Sequence, residues 1–328
     1  MLKYIIKRLL LLIPVILGIS FVVFGLLEMA PGDAAQSMLG INATEESLAK
    51  LREELGLNGP FLQRYLEYVV NALQGDFGVS YRTKMPVVQE IIARIPTTVI
   101  LATGAMALAV VVAIPIGILS SVKQYSLMDN STLAGALLLS SMPSFWLGTM
   151  LMLLFALKLH WLPATGGEGF KGYILPWITL AASYMATLIR LTRSNMLEVI
   201  RADYIKMAQS KGLTERKVIW RHALRNACLP IVTIVGMSFA KLLGGTMIIE
   251  QVFALNGLGS LSITAVLSQD VPMVMAVVIF TALIIGVVNL AVDVLYVYID
   301  PRLKSQYVSP SRKKRVAKVA ERTENNDA

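Results

Sequence analysis

The feature that most constrains this chain is a series of apolar runs, each about 20 residues long, joined by polar connections. A helix rises about 1.5 Å per residue, so a run of that length covers the ~30 Å of hydrocarbon in a bilayer. Lipid offers the backbone no hydrogen-bond partners, so each run is expected to satisfy its own amides as a helix. Six spans are predicted, at about 9–29, 97–122, 131–157, 174–193, 229–250 and 273–298, the second beginning after Pro96 and containing Pro115. Composition agrees. Of 328 residues, 55% are hydrophobic and only 16% charged, against about 25% charged in ordinary soluble domains. A large soluble helical core is therefore set aside.

The distribution of charge gives a topology. With a cytoplasmic N-terminus, segments 1–8, 123–130, 193–228 and 299–328 hold 20 of the 30 Lys and Arg residues, and the external segments 30–96, 158–173 and 251–272 hold 8. That asymmetry places both termini inside. It also accounts for the net charge of +9 without invoking nucleic acid. The apolar run from Leu9 to Leu27 exceeds the roughly 7–15 residues of a signal peptide, so a retained first helix is expected. The single cysteine, Cys228, excludes an intramolecular disulfide.

The chain then divides into a first span (1–29), an external segment (30–96), a five-helix core (97–300) and a basic, disordered tail (301–328). In the external segment, Glu45–Leu55 and Pro60–Leu73 have helical spacing, and Leu62, Tyr65, Leu66, Val69, Val70 and Leu73 share one face. That face packs on its neighbours or serves in gating or docking. The tail carries Arg312-Lys-Lys-Arg315, a cluster suited to anionic headgroups.

The most informative segment is the loop 193–228, with eight basic and three acidic residues, net +5. A merely solvated loop needs no apolar pattern, yet this one has it. Ala202, Tyr204, Ile205 and Ala208 suit a short helix ending near Gly212, a C-cap residue. A second helix is expected from about Thr214 toward Asn226, the pair lying along the membrane surface and docking to a protein. Inside the spans, Lys241, Glu250 and Asp293 are ionisable residues of the kind that cost about 2.5–3.5 kcal/mol in hydrocarbon. Lys241 is the most central and is expected against a partner helix or a water-filled path. Glu250 and Asp293, nearer the ends, are expected to reach water in part. For each, structural pairing and a pathway role stay open. Asn289 and Asp293 are four apart and share a face. Gly244-Gly245 and Gly257 with Gly259 permit close helix approach or a break in the helix, and Pro143 frees a carbonyl within the third span, tolerable beside a cavity or another helix.

The loop resembles that of ABC importer permeases, with Ala208 and Gly212 at the matching positions. Two departures from most importers point to the dipeptide, oligopeptide and nickel branch: Lys206 stands where a Glu is usual, and Leu229-Pro230 closes the loop 18 residues after Gly212. That branch is similar at Tyr204-Ile205, Ala208, Lys211-Gly212 and Arg221 to Ala227. The likeness extends along the chain through Tyr4 to Leu10 with Pro14, Pro31-Gly-Asp33, Leu55-Gly-Leu57, Gly75-Asp-Phe-Gly78 with Ser80, Pro86-Val87 and Pro96-Thr-Thr98. It continues through Met142-Pro143 with Phe145-Trp146, Leu162-Pro163, Gly244-Gly245, Glu250 with Val252-Phe253, Gly257-Leu-Gly259, Asn289, Asp293 and Asp300-Pro-Arg302.

The resemblance implies an all-α permease with the type I ABC importer fold, working beside a second permease, two ATPase subunits and an external substrate-binding protein. The loop would be the coupling helix seated in an ATPase groove, with Asp203, Tyr204, Ala208, Lys211, Gly212, Arg221, His222, Arg225 and Asn226 at the contact. Arg221, His222 and Arg225 would meet acidic groups or lipid phosphate; His222 is read as a partly exposed helix residue that ligates no metal. ATP and Mg would be bound by the partner ATPases, and no cofactor is expected in this chain, which has no G-x-x-x-x-G-K-[ST] loop. Peptides are the cargo favoured by resemblance, with nickel or a nickel chelate as the alternative. A self-sufficient secondary transporter would leave the patterned loop without a purpose. An intramembrane enzyme lacks an inventory: His160 and His222 fall on opposite sides, and no carboxylate pair lies within the spans.

Overall fold

Apolar periodicity carried by good helix formers gives helices throughout. The computed structural model describes residues 2–299 except 31, 33, 41, 42 and 168. The tail 301–328 with its Arg312–Arg315 cluster, the Asp300-Pro-Arg302 motif, and Pro31 and Asp33 lie outside the described residues. The described residues are 81% helical and contain no strand, only an isolated antiparallel bridge between Val79 and Pro86.

The helices are α1 (Leu2–Glu28), α2 (Ala34–Leu39), α3 (Glu45–Glu54), α4 (Phe61–Leu73), α5 (Val87–Val122), α6 (Leu127–Ser141), α7 (Ser144–Leu151), α8 (Gly169–Ile200), α9 (Asp203–Ser210), α10 (Glu215–Lys217), α11 (Leu224–Gly245), α12 (Met247–Val252), α13 (Leu258–Leu267) and α14 (Val271–Ile299). A π-helical stretch, Met152–Lys158, extends α7, and another, Val218–Ala223, joins α10 to α11. Among the described residues, five helices are long and apolar enough to cross a membrane: α1 from Ile5, α5, α8, the continuous 215–244 helix, and α14. There are six if α6 and the α7 helix, which meet at 103°, are counted together as one bent span.

Several boundaries differ from those expected. The break falls at Met142-Pro143, where Met142 is extended (φ −82°, ψ 128°) and Pro143 caps α7. A residue before proline is pushed out of the helical region, and proline has no N–H to continue the ladder. Pro96, expected as a boundary, lies inside α5. The helix survives there because Val87 and Ile91 before it and Thr98 and Leu101 after it are all buried, so packing on both sides offsets one lost hydrogen bond. The second helix of the 193–228 loop does not end near Asn226. It runs through the π turn into α11, so the loop and the fifth span share one helix.

The centre is the α5–α8 pair. Ala105, Ala109 and Ala113 of α5 and Ala181, Ala182 and Ala186 of α8 are buried, small side chains that let the helices approach closely. A Cβ on Gly104 would fall 2.2 Å from the Trp177 ring, and one on Gly117 would fall 2.9 Å from the Ile189 carbonyl. Trp177 donates from Nε1 to the Ile100 carbonyl at 3.1 Å. Around this spine, α1 lies on α14, with Leu12 filling the notch at Gly286.

Candidate functional site

The surface formed by α9, its turn and the following π helix is built on one apolar cluster. Ile205 and Ala208 of α9 pack with Ile118 of α5, Met196 of α8, and Val218, Ala223 and Ala227 of the next helix. One face of α9 is thereby anchored to the ends of both central helices. At its end Lys211 caps the helix, the Gly212 N–H donates to the Gln209 carbonyl at 2.9 Å, and Gly212 has φ +76°. A Cβ there would meet open space, so the backbone angle, and not crowding, calls for glycine.

The outward face carries Asp203, Tyr204, Lys206 and Lys211, all exposed. Asp203 accepts from Lys206 at 3.0 Å with both side chains mostly in solvent, a pair worth little by itself. Arg221, Arg225 and Asn226 are exposed and His222 is half-buried. Asn226 is occupied locally, donating Nδ2 to the His222 carbonyl at 2.9 Å. Two large apolar groups join this face, Met207 at 62% and Trp220 at 47% exposure. Sequence reasoning did not single them out; the signal for Met207 was there, since helical spacing puts it on another side of α9 from Ile205 and Ala208.

Behind the cluster sits a buried ion pair that sequence reasoning also missed. Asp129 has no exposed surface. It accepts from Arg193 Nε and Nη2 at 2.6 Å each, from Ser120 Oγ at 2.5 Å and from the Tyr125 amide at 2.9 Å. Its own amide donates to Ser126 Oγ, the cap of α6, at 3.2 Å. One carboxylate thus ties the end of α5, the start of α6 and the last turns of α8 directly beside the α9 surface. Ser126 three residues before Asp129 was the available sign of a helix start.

The intramembrane polar residues separate. Glu250 does not reach water; it is 0% exposed. Its Oε1 accepts from Thr98 at 2.8 Å and Thr246 at 2.9 Å, and its Oε2 accepts from the Ser260 amide at 2.8 Å. Thr98 in turn accepts from the Leu258 amide at 2.9 Å. The reason for burial is local: α12 and α13 fold back over the carboxyl, and a Cβ on Gly257 would sit 2.4 Å from its carbon. Glu250 therefore staples α5, α12 and α13. Nearby, Asp270 (2% exposed) accepts from Ser80 at 2.5 Å and from the Met273 amide at 3.3 Å, fixing the 76–86 turn to the start of α14.

Asp293 meets Arg8 of α1 at 3.1 Å. Asn289 is exposed, and its side chain lines a cavity of about 480 Å³ between α1, α5, α11 to α13 and α14, together with Thr98, Gly244 and Thr246. Lys241 is exposed on α11, in line with Met237, Gly244 and Ile248. The four polar residues do not form one cluster: Glu250 is a staple, Asp293 an inter-helix pair, Asn289 lines the cavity, and Lys241 faces open surface.

Comparison with known proteins places this architecture. The profile described as "Binding-protein-dependent transport system inner membrane component" matches residues 113–305, and its N-terminal companion matches residues 1–102. The chain is 39% identical to the dipeptide transport system permease protein DppB of Alkalihalophilus pseudofirmus, covering 93% of this chain and 100% of that one. It is 37% identical to the oligopeptide transport system permease protein AppB of Bacillus subtilis (93% and 100%) and 38% identical to the glutathione transport system permease protein GsiC of Escherichia coli (93% and 99%). Among solved structures, a chain of the MetNI methionine ABC transporter in an inward-facing conformation superposes with a TM-score of 0.56 at 15% identity, over 66% of this chain and 98% of that one.

Proposed function

Because the chain belongs to the family of inner membrane components of binding-protein-dependent transport systems, a multi-pass membrane protein of the bacterial inner membrane, we propose that it is the permease subunit of an ATP-driven peptide importer. The curated relatives that support the cargo are named for dipeptides, oligopeptides and glutathione, and they favour peptides over nickel. In this reading both termini are cytoplasmic, and residues 97–300 form the translocating core with a second, related permease. Two cytosolic ATPases bind ATP and Mg, and an external binding protein delivers the peptide.

The observation that carries the coupling role is the two-sided α9: Ile205 and Ala208 are locked onto α5 and α8 while Tyr204, Met207 and Trp220 stay uncovered. Asp203, Lys211, Arg221, His222 and Arg225 ring that apolar patch and supply polar contacts for the ATPase groove, and Gly212 sets the angle between α9 and α10. Nucleotide-driven movement of the groove then reaches the membrane through α5 and α8 as a rigid-body displacement. Lys241 and Asn289 supply the polar lining of the path.

The test is uptake of labelled di- and oligopeptides by cells with and without this chain, repeated after ATP depletion. Uptake should require both the chain and ATP. Loss of nickel uptake alone would move the cargo to metal, and uptake that needs the chain but survives ATP depletion would overturn the importer reading.

A further inference from the structure

The apolar arc of α4 is wider than the surface it packs on. Phe61, Tyr65, Tyr68 and Val69 turn toward α1 and α14 and join Phe24 and Met275 in one cluster. Tyr65 Oη lies 3.0 Å from Ser20 Oγ and donates to the Leu17 carbonyl at 3.0 Å. Phe21 meets the Phe61 and Tyr65 rings edge-on, with centroids 5.6 and 5.1 Å away. The remainder of the arc is uncovered: Leu62, Leu66, Val70 and Leu73 are 57, 52, 51 and 81% exposed. The polar arc, Gln63, Glu67 and Asn71, is also exposed and lies to one side.

The depth of the contact decides what covers the stripe. Ser20 lies eight residues inside Glu28, the last residue of the α1 span, which is about 12 Å of helix rise. So α4 rests against α1 well below the end of that span, at the level of the acyl chains. Arg64 marks the interface, bonded to Glu28 at 2.9 Å with its guanidinium over Phe24, the posture of a side chain that keeps its charge at the headgroup level while its stem stays in apolar surroundings. The α1 face beside α4 is itself uncovered, with Phe21, Val22 and Leu26 at 45, 58 and 62% exposure. The lipid-facing surface of α1 therefore continues without a break onto Leu62 and Leu66.

We infer that α4 is an interfacial helix inserted in the leaflet at the Glu28 end of α1, its Leu62, Leu66, Val70 and Leu73 stripe buried among acyl chains. A second protein is the lesser fit, because membrane helix contacts favour Gly, Ala and Ser and this stripe has none of them. The helix is not basic, so its hold comes from apolar area and not from anionic headgroups.

The test uses the intact transporter complex in phosphatidylcholine vesicles, with Cys228→Ala removing the native thiol and a nitroxide attached at Leu66→Cys, or at Gln63→Cys and Leu11→Cys for comparison. Power-saturation EPR then reads collisions with oxygen, which concentrates in hydrocarbon, and with nickel ethylenediamine diacetate, which stays in water. Position 66 should match position 11, with oxygen collisions exceeding nickel collisions several-fold. Position 63 should show the reverse order, and adding phosphatidylglycerol should change neither. Dominant nickel collisions at position 66 would overturn the inference in favour of a solvent-facing stripe. Low accessibility to both probes would overturn it in favour of a stripe covered by a partner subunit.

Discussion

At the scale of single residues, two carboxyl groups buried at opposite ends of the bundle show how few polar contacts organise this apolar chain. Asp129 holds α5, α6 and α8 together through a bidentate Arg193, and Glu250 holds α5, α12 and α13 through neutral donors. Breaking a buried pair by removing one partner leaves the other charge uncompensated, at a cost of about 3–5 kcal/mol, whereas replacing both partners with well-packed apolar groups is often close to neutral. Arg193→Met alone should therefore lower the thermal unfolding midpoint of the purified complex sharply, and Asp129→Leu with Arg193→Met should recover much of the loss. A double variant as unstable as the sum of the two single changes would show that the pair is not the unit of stability. Neither residue was legible as a pair. Asp129 and Arg193 fall in connections that charge counting assigns to solvent, and only the folded turn Lys123 to Ser126 brings Asp129 beneath Arg193.

At the scale of elements, the spans were readable, as was the glycine pair at which α11 ends, but the bend at Met142-Pro143 was not. Runs of about 20 apolar residues have one solution in lipid, so α1, α5, α8, α11 and α14 followed from the sequence to within a few turns. Proline alone does not mark the break, since Pro14, Pro96, Pro115, Pro176 and Pro230 all sit inside continuous helices. What separates Pro143 is tertiary: beyond it, Gly148 lies against Thr179 and Phe253, a Cβ there falling 3.2 and 3.1 Å from their side chains. Packing that close holds α7 at its angle to α6. The α9–α10 reversal was readable, because the required angle is local. Gly212 at φ +76° would cost a β-branched residue at least about 1–2 kcal/mol. Gly212→Val should leave the chain assembled and ATP hydrolysis measurable while peptide uptake per ATP falls severalfold. Gly212→Asn, which tolerates the left-handed region, should retain most of the uptake. Equal uptake per ATP in both variants and the parent would remove Gly212 from the coupling path.

At the scale of the whole molecule, the broken span bears on how the chain enters the bilayer during synthesis. Leu127–Ser141 and Ser144–Lys158 are 15 residues each, about 22 Å of helix at 1.5 Å per residue, short of the ~30 Å a lone span needs. Their junction also exposes carbonyls that hydrocarbon cannot solvate. Neither half is self-sufficient, and the surface that shelters α7 is α8 with Phe253, which emerge from the ribosome later. Biogenesis is thus predicted to be post-committed: residues 127–158 hover at the lipid boundary until α8 arrives. Engineered glycosylation sites after residue 160 should be modified unevenly in a nascent chain truncated near residue 168 and uniformly once the chain extends past Ile200. Uniform modification of the shorter chain would show that the bent pair inserts unaided. Taken with the Asp129 tether at its near end, the broken helix makes this permease a protein whose translation order is written into its packing, each earlier piece incomplete until a later one closes over it.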